Sequence, residues 1–119
     1  MSVLPKRILL ATDGSEDARL AMRAAASIAN NAGAELHIAH AWQSVPNTLI
    51  DTGDYEEVAR SLLEGETERV SDAGAAVKDA HLVMGPPVDA ILDLAEEIGA
   101  DLLVVGSRGH GTLGRLLLG

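Results

Sequence analysis

A chain of 119 residues, 47% apolar and 23% charged, has the makeup of one soluble globular domain able to hold its own core. Nine Lys and Arg against eighteen Asp and Glu give a net charge of −9, a surface that repels phosphate backbones and anionic headgroups and makes nucleic acid and membranes poor partners. Trp42 and Tyr55 are the only aromatics, so no platform exists for stacked bases; the lack of cysteine removes disulfides and thiolate metal sites.

The chain reads as alternating strands and helices. Ile8-Leu9-Leu10-Ala11 is short and continuously apolar, as a strand buried on both faces requires. Ser15 is placed to cap a helix whose first turn carries Glu16 and Asp17, and which runs to about Ala32 before Gly33 stops it. Leu36 to Ala41 is the second strand. Residues 43–54, with Pro46, Asn47 and Gly53, are expected to form a long loop, and Tyr55 to Ala73 a helix ending at Gly74. Val77 to Met84 is a less regular third strand. Pro86 and Pro87 start a helix with the apolar stripe Val88, Ile91, Leu92, Ala95 and Ile98, closed by Gly99. Leu102-Leu103-Val104-Val105 is the fourth strand and the clearest.

This order predicts an α/β fold: a single domain over residues 1–119 with one doubly wound, mostly parallel, Rossmann-like sheet. Ligands of such sheets sit beyond the carboxyl ends of the strands, at a topological switch point. No run approaches the roughly 20 apolar residues of a membrane span, and the first residues lack a signal-peptide layout, so a cytoplasmic location is expected.

Directly after the fourth strand come five glycines in fourteen residues, from Gly106 to Gly119. Without Cβ atoms such a backbone can approach a ligand closely and turn successive N–H groups onto phosphate oxygens; a plain surface loop is the competing account. A Walker A loop is excluded, because the segment has no lysine. Gly109-His-Gly111-Thr-Leu-Gly114 fits the dinucleotide fingerprint, but starts three residues after the strand and is followed by only five residues, too few for the acidic partner about 20 positions on.

Gly106-x₂-Gly109-x₉-Gly119 resembles the phosphate-binding pattern of ATP-binding universal stress proteins. The resemblance extends to Ile8-Leu-Leu-Ala-Thr-Asp-Gly-Ser15, Leu36-His-Ile-Ala-His-Ala-Trp42, Gly85-Pro-Pro and Gly99-Ala-Asp-Leu-Leu-Val-Val-Gly-Ser-Arg-Gly109. It implies a stress-response regulator that binds ATP without demanding catalysis. Ala11 and Thr12 would line the adenosine pocket, Ala41 would meet adenine, and Gly106, Ser107, Arg108, Gly109 and Gly119 would hold the phosphates. Asp13 would contact the nucleotide, with Mg²⁺ or Mn²⁺ bridging to phosphate; its local alternative is to bond turn N–H groups. Arg108 has a bland reading as an exposed cation, Ser107 as a turn residue, and Val105 as core. Family members usually continue with Ser or Thr, a helix and a fifth strand that often forms a dimer contact. The natural chain is therefore expected to run on past Gly119 and to form a homodimer.

His37, His40, His81 and His110 show no metal-ligand spacing, and His37 and His40 point to opposite faces of a strand, so no zinc or catalytic histidine is expected. Two other functions compete. A stress protein acting by protein contacts alone would not need the glycine spacing. An ATP-using pyrophosphatase-type synthetase would carry Ser-Gly-Gly-x-Asp-Ser in its first loop, where this chain has Ala11-Thr-Asp-Gly-Ser15.

Overall fold

Ile8, Leu9 and Leu10 are all fully buried, as a central strand covered on both faces demands. The computed structural model describes residues 4–43, 52–106 and 117–118. In chain order the elements are β1 (Arg7–Ala11), α1 (Glu16–Ala32), β2 (Glu35–Trp42), α2 (Thr52–Asp72), β3 (Val77–Met84), α3 (Pro87–Ile98), β4 (Leu102–Val105) and β5 (Leu117–Leu118). The sheet order is β3-β2-β1-β4-β5; the first four strands are parallel and β5 is antiparallel to β4.

Residue alternation divides the core into two layers. Ile8, Leu10, Leu36, Ile38, Leu102 and Val104 face α1 and α2, where Ala25, Ala26, Leu63 and Val70 pack against them. Leu9, Ala39, Leu103 and Val105 face α3 through Ile91 and Leu94. Five of the six buried residues of α1 are alanines, which lets this helix lie close to the sheet. Its ends follow local chemistry: the Ser15 hydroxyl accepts from Ala18 N–H at 3.2 Å, and Gly33 closes the helix in the left-handed conformation.

The structure differs from the sequence reading at two places. The second helix begins at Thr52, three residues before Tyr55, so the expected loop over 43–54 is shortened at its far end; its residues 44–51 lie outside the described part. The sequence reading has four strands and leaves the β4 edge open, whereas Leu117 and Leu118 pair with Leu103 and Leu102 along that edge. An unpaired edge presents a row of free backbone groups, and a short apolar segment of the chain itself satisfies part of it.

The amino end of the sheet is held by Asp101. Its carboxylate accepts from the backbone N–H of Lys6 (2.9 and 3.2 Å) and of Arg7 (3.1 Å), while its own N–H donates to the Arg7 carbonyl at 2.9 Å. The Lys6 N–H bond, helped by that of Arg7, holds the carboxyl below its ordinary range against the opposing effect of burial. A depressed carboxylate contributes stability above its unfolded pKa and loses it as pH falls through the folded value. Asp101→Asn is expected to cost about 0.5–1 kcal/mol at neutral pH, a value reduced for solvent exposure. Urea titrations across pH check it: the gap between parent and variant should close in acid, below the ordinary carboxylate range.

Candidate functional site

Chain order and sheet order together place the site. From β1 the chain adds β2 and then β3 on one side, and then crosses back to set β4 on the other side of β1. The crossovers diverge between β1 and β4, where Ala11 pairs with Val105 at the carboxyl edge. There a cleft opens, lined by Ala11, Thr12, Asp13, His40, Ala41, Pro87, Ile91, Val105 and Gly106. Its cavity volume is about 170 Å³, and it is open to solvent on one side. Its wall is mostly aliphatic, which suits a flat apolar ligand face with polar groups directed to the rim.

The turn after β1 is fixed from below. Thr12, 7% exposed, donates its hydroxyl proton to Glu66 Oε1 at 2.9 Å and accepts from Gly14 N–H at 3.1 Å. Glu66, also 7% exposed, lies on α2, and its second oxygen meets Arg69 Nε at 3.1 Å. The Thr12 N–H donates to the Ala39 carbonyl at 2.9 Å, so the residue is anchored through backbone and side chain alike. Asp13 is exposed at the rim, and its Oδ1 accepts from Ser15 N–H at 2.9 Å. The local turn role is thus present, and it keeps the carboxylate beside the N-terminus of α1.

Gly106 closes the other wall. A Cβ built there would stand 2.7 Å from Ala18 Cα, 2.8 Å from the Asp17 carbonyl oxygen and 2.9 Å from Ala18 N. Glycine is required by this close approach of β4 to the first turn of α1. His40 adds a polar group on the β2 side. Its Nδ1 lies 2.8 Å from the Thr12 carbonyl oxygen, which can only accept, so Nδ1 carries a proton and Nε2 is the ring nitrogen not engaged by that bond.

Of the residues expected from sequence, the structure brings Ala11, Thr12, Asp13, Ala41 and Gly106 to one cleft. Val105, expected as core, is 9% exposed and also forms part of the wall. Ser107, Arg108, Gly109 and Gly119 lie outside the described residues. Leu118 pairs with Leu102, the first residue of β4, at the opposite end of that strand from Gly106. Sequence reasoning missed His40, Pro87, Ile91 and the support from Glu66. Glu66 left a trace: Ala59, Leu63, Glu66 and Val70 form a buried helical stripe, with one carboxylate in an apolar row.

The model of the "Universal stress protein family" matches residues 5–119. The chain belongs to this family. A universal stress protein of Thermus aquaticus, from the 3′ region of QAH/OAS sulfhydrylase, is 40% identical over 117 residues, covering 96% of this chain and 85% of its own. Among solved structures, a universal stress protein in complex with cAMP is similar at 31% identity and a TM-score of 0.75, over 94% of this chain and 86% of that one. A universal stress protein family member from Arabidopsis thaliana with AMP bound shares the fold, with a TM-score of 0.65 at 22% identity, over 92% and 81% of the two chains. The universal stress protein fold therefore accounts for the parallel sheet and for the three helices that flank it here.

Proposed function

We propose that this universal stress protein is a cytoplasmic ATP-binding regulator that works by binding rather than by turnover, and as a homodimer. The observation that carries the reading is the cleft at the β1–β4 switch point, where Ala11, Thr12, Asp13, Ala41 and Gly106 converge. Adenine packs beside Ala41 and the aliphatic wall; the phosphates extend past Gly106 toward the glycine-rich segment. The cAMP complex of a relative at 31% identity supports an adenine nucleotide in this fold.

A divalent cation fits the donor set at the rim. Mg²⁺ keeps most of its waters and needs only one or two carboxylates besides phosphate oxygens, and Asp13 supplies one carboxylate there. The ion would neutralise phosphate charge next to an acidic protein; Asp13 would hold it and orient the nucleotide.

Calorimetry with ATP, ADP, AMP and cAMP tests the reading. Saturable binding of ATP, tighter than that of AMP, is expected; no saturable nucleotide binding would leave a stress protein that acts through protein contacts. Sedimentation at several concentrations tests the dimer. Asp13→Asn is expected to weaken ATP binding about tenfold with Mg²⁺ present and less than about twofold with chelator, since the substitution keeps size and removes the charge a hard cation prefers. Equal losses under both conditions would instead make Asp13 a direct nucleotide contact.

A further inference from the structure

The histidines that show no metal-ligand spacing in the sequence meet across strands. β2 and β3 pair with a register shift between Leu36 and His37, so that His37 lies opposite Asp79 and Ala39 opposite His81. This irregularity puts His37, Asp79 and His81 on one face of the sheet, with potential ligand atoms all within 4.8 Å of one another. His37 and His81 are 44 residues apart in the chain, which is why no local motif announces them.

We propose that His37, Asp79 and His81 form a binding site for a divalent transition-metal ion of the zinc class, separate from the nucleotide cleft. His37 Nδ1 and His81 Nε2 stand 3.1 Å apart. Two imidazole nitrogens on one tetrahedral Zn²⁺, each about 2.0–2.1 Å from the metal, are about 3.3 Å from each other. The pair already has nearly this separation. The other nitrogen of His37, Nε2, is 3.2 Å from Glu35 Oε1, which also accepts from Arg7 Nε at 3.0 Å. A carboxylate on the distal ring nitrogen fixes the tautomer and turns the other nitrogen's lone pair to the metal, as around metal-bound histidines generally. Asp79 is exposed on β3, the edge strand, and supplies a hard oxygen free to move toward the pair.

The rings are stacked with centroids 5.3 Å apart and planes at 22°, so one ring must turn for both lone pairs to meet. His81 is the one placed to do so, because it is partly exposed on the edge strand while His37 is 6% exposed. Imidazole with carboxylate suits Zn²⁺, Ni²⁺ or Cu²⁺ better than Mg²⁺ or Ca²⁺. Three protein ligands leave a fourth position for water, and the ion would clamp the edge strand onto β2.

The test uses the 119-residue chain without nucleotide, titrated with ZnCl₂ in a calorimeter, and with Co²⁺ as a spectroscopic reporter of coordination. One Zn²⁺ per chain is expected, with a rise in unfolding temperature on binding. His81→Asn should lower the affinity by at least about 100-fold, and Glu35→Gln by about 10–100-fold through the outer shell. Asp79→Asn, an exposed change that leaves packing intact, should lower it at least about tenfold and alter the Co²⁺ spectrum. No stoichiometric binding to the parent would overturn the proposal. So would variants that bind Zn²⁺ as tightly as the parent, since the metal would then sit on other groups and the histidine pair would be a packing contact only.

Discussion

Gly106→Ala should destabilise the domain by about 2–3 kcal/mol, and Gly106→Val by more. The added Cβ meets Ala18 Cα, the Asp17 carbonyl oxygen and Ala18 N, all closer than 3.0 Å and all backbone. No rotamer change relieves such a contact; the end of β4 and the first turn of α1 must separate, and overpacking of this kind typically costs about 1–3 kcal/mol. Because Gly106 forms part of the cleft wall, the same displacement should lower ATP affinity by more than about tenfold, beyond what lost stability explains. Gly33→Ala is the control. Gly33 has φ +67° with no atom within 4 Å of an added Cβ, so that substitution carries only backbone strain, about 1 kcal/mol, far from the cleft. Urea unfolding and calorimetry of the two variants decide the matter. A Gly106→Ala protein as stable as its parent would mean that β4 and α1 have room between them, and that the glycine belongs there for some other reason.

Where local chemistry sets an element, the sequence was enough to find it. Ser15 and Gly33 bound α1 because a hydroxyl that accepts a helix N–H and a residue at ease with positive φ are local requirements. The all-apolar Leu102–Val105 reads as a strand covered on both sides, and all four of its residues are buried. Alternation of strand and helix then carries the argument to the carboxyl edge, and Asp13 and Gly106 do meet there. What stayed hidden depends on contacts between distant segments. Glu66 looks like one more surface acid of a helix until α2 packs beneath the β1 turn and Thr12 bonds to it. His40 lines the cleft and bonds there to the Thr12 carbonyl, 28 residues back. His37 and His81 are joined by a register shift that no periodicity encodes. Pro87 and Ile91 were legible as helix start and apolar stripe, but their place on the cleft wall follows from α3 covering the β1–β4 face.

Thr12→Val should cost about 2–4 kcal/mol although it conserves the shape of the side chain. The hydroxyl makes two bonds at once, as donor to Glu66 and acceptor from Gly14. Valine leaves a buried carboxyl oxygen and a partly buried N–H without those partners, and an orphaned polar group costs about 1–3 kcal/mol. Arg69 does not make up the loss: it holds the other carboxyl oxygen and is half exposed, where an ion pair contributes little. Glu66→Leu alone should also destabilise, by stranding the Thr12 proton. The double variant should then recover much of the loss, because replacing both partners of a buried polar contact with apolar groups of similar shape is close to neutral. A double-mutant cycle by urea unfolding should return a coupling of about 1–3 kcal/mol between the two positions. The effect reaches the site as well. The Gly14 bond shapes the turn that carries Asp13 to the rim, so ATP affinity should fall several-fold in Thr12→Val. Effects that add within about 0.5 kcal/mol would show that Thr12 and Glu66 act independently. The turn after β1 would then owe its position to the bond between the Thr12 N–H and the Ala39 carbonyl, and α2 would have no part in shaping the cleft.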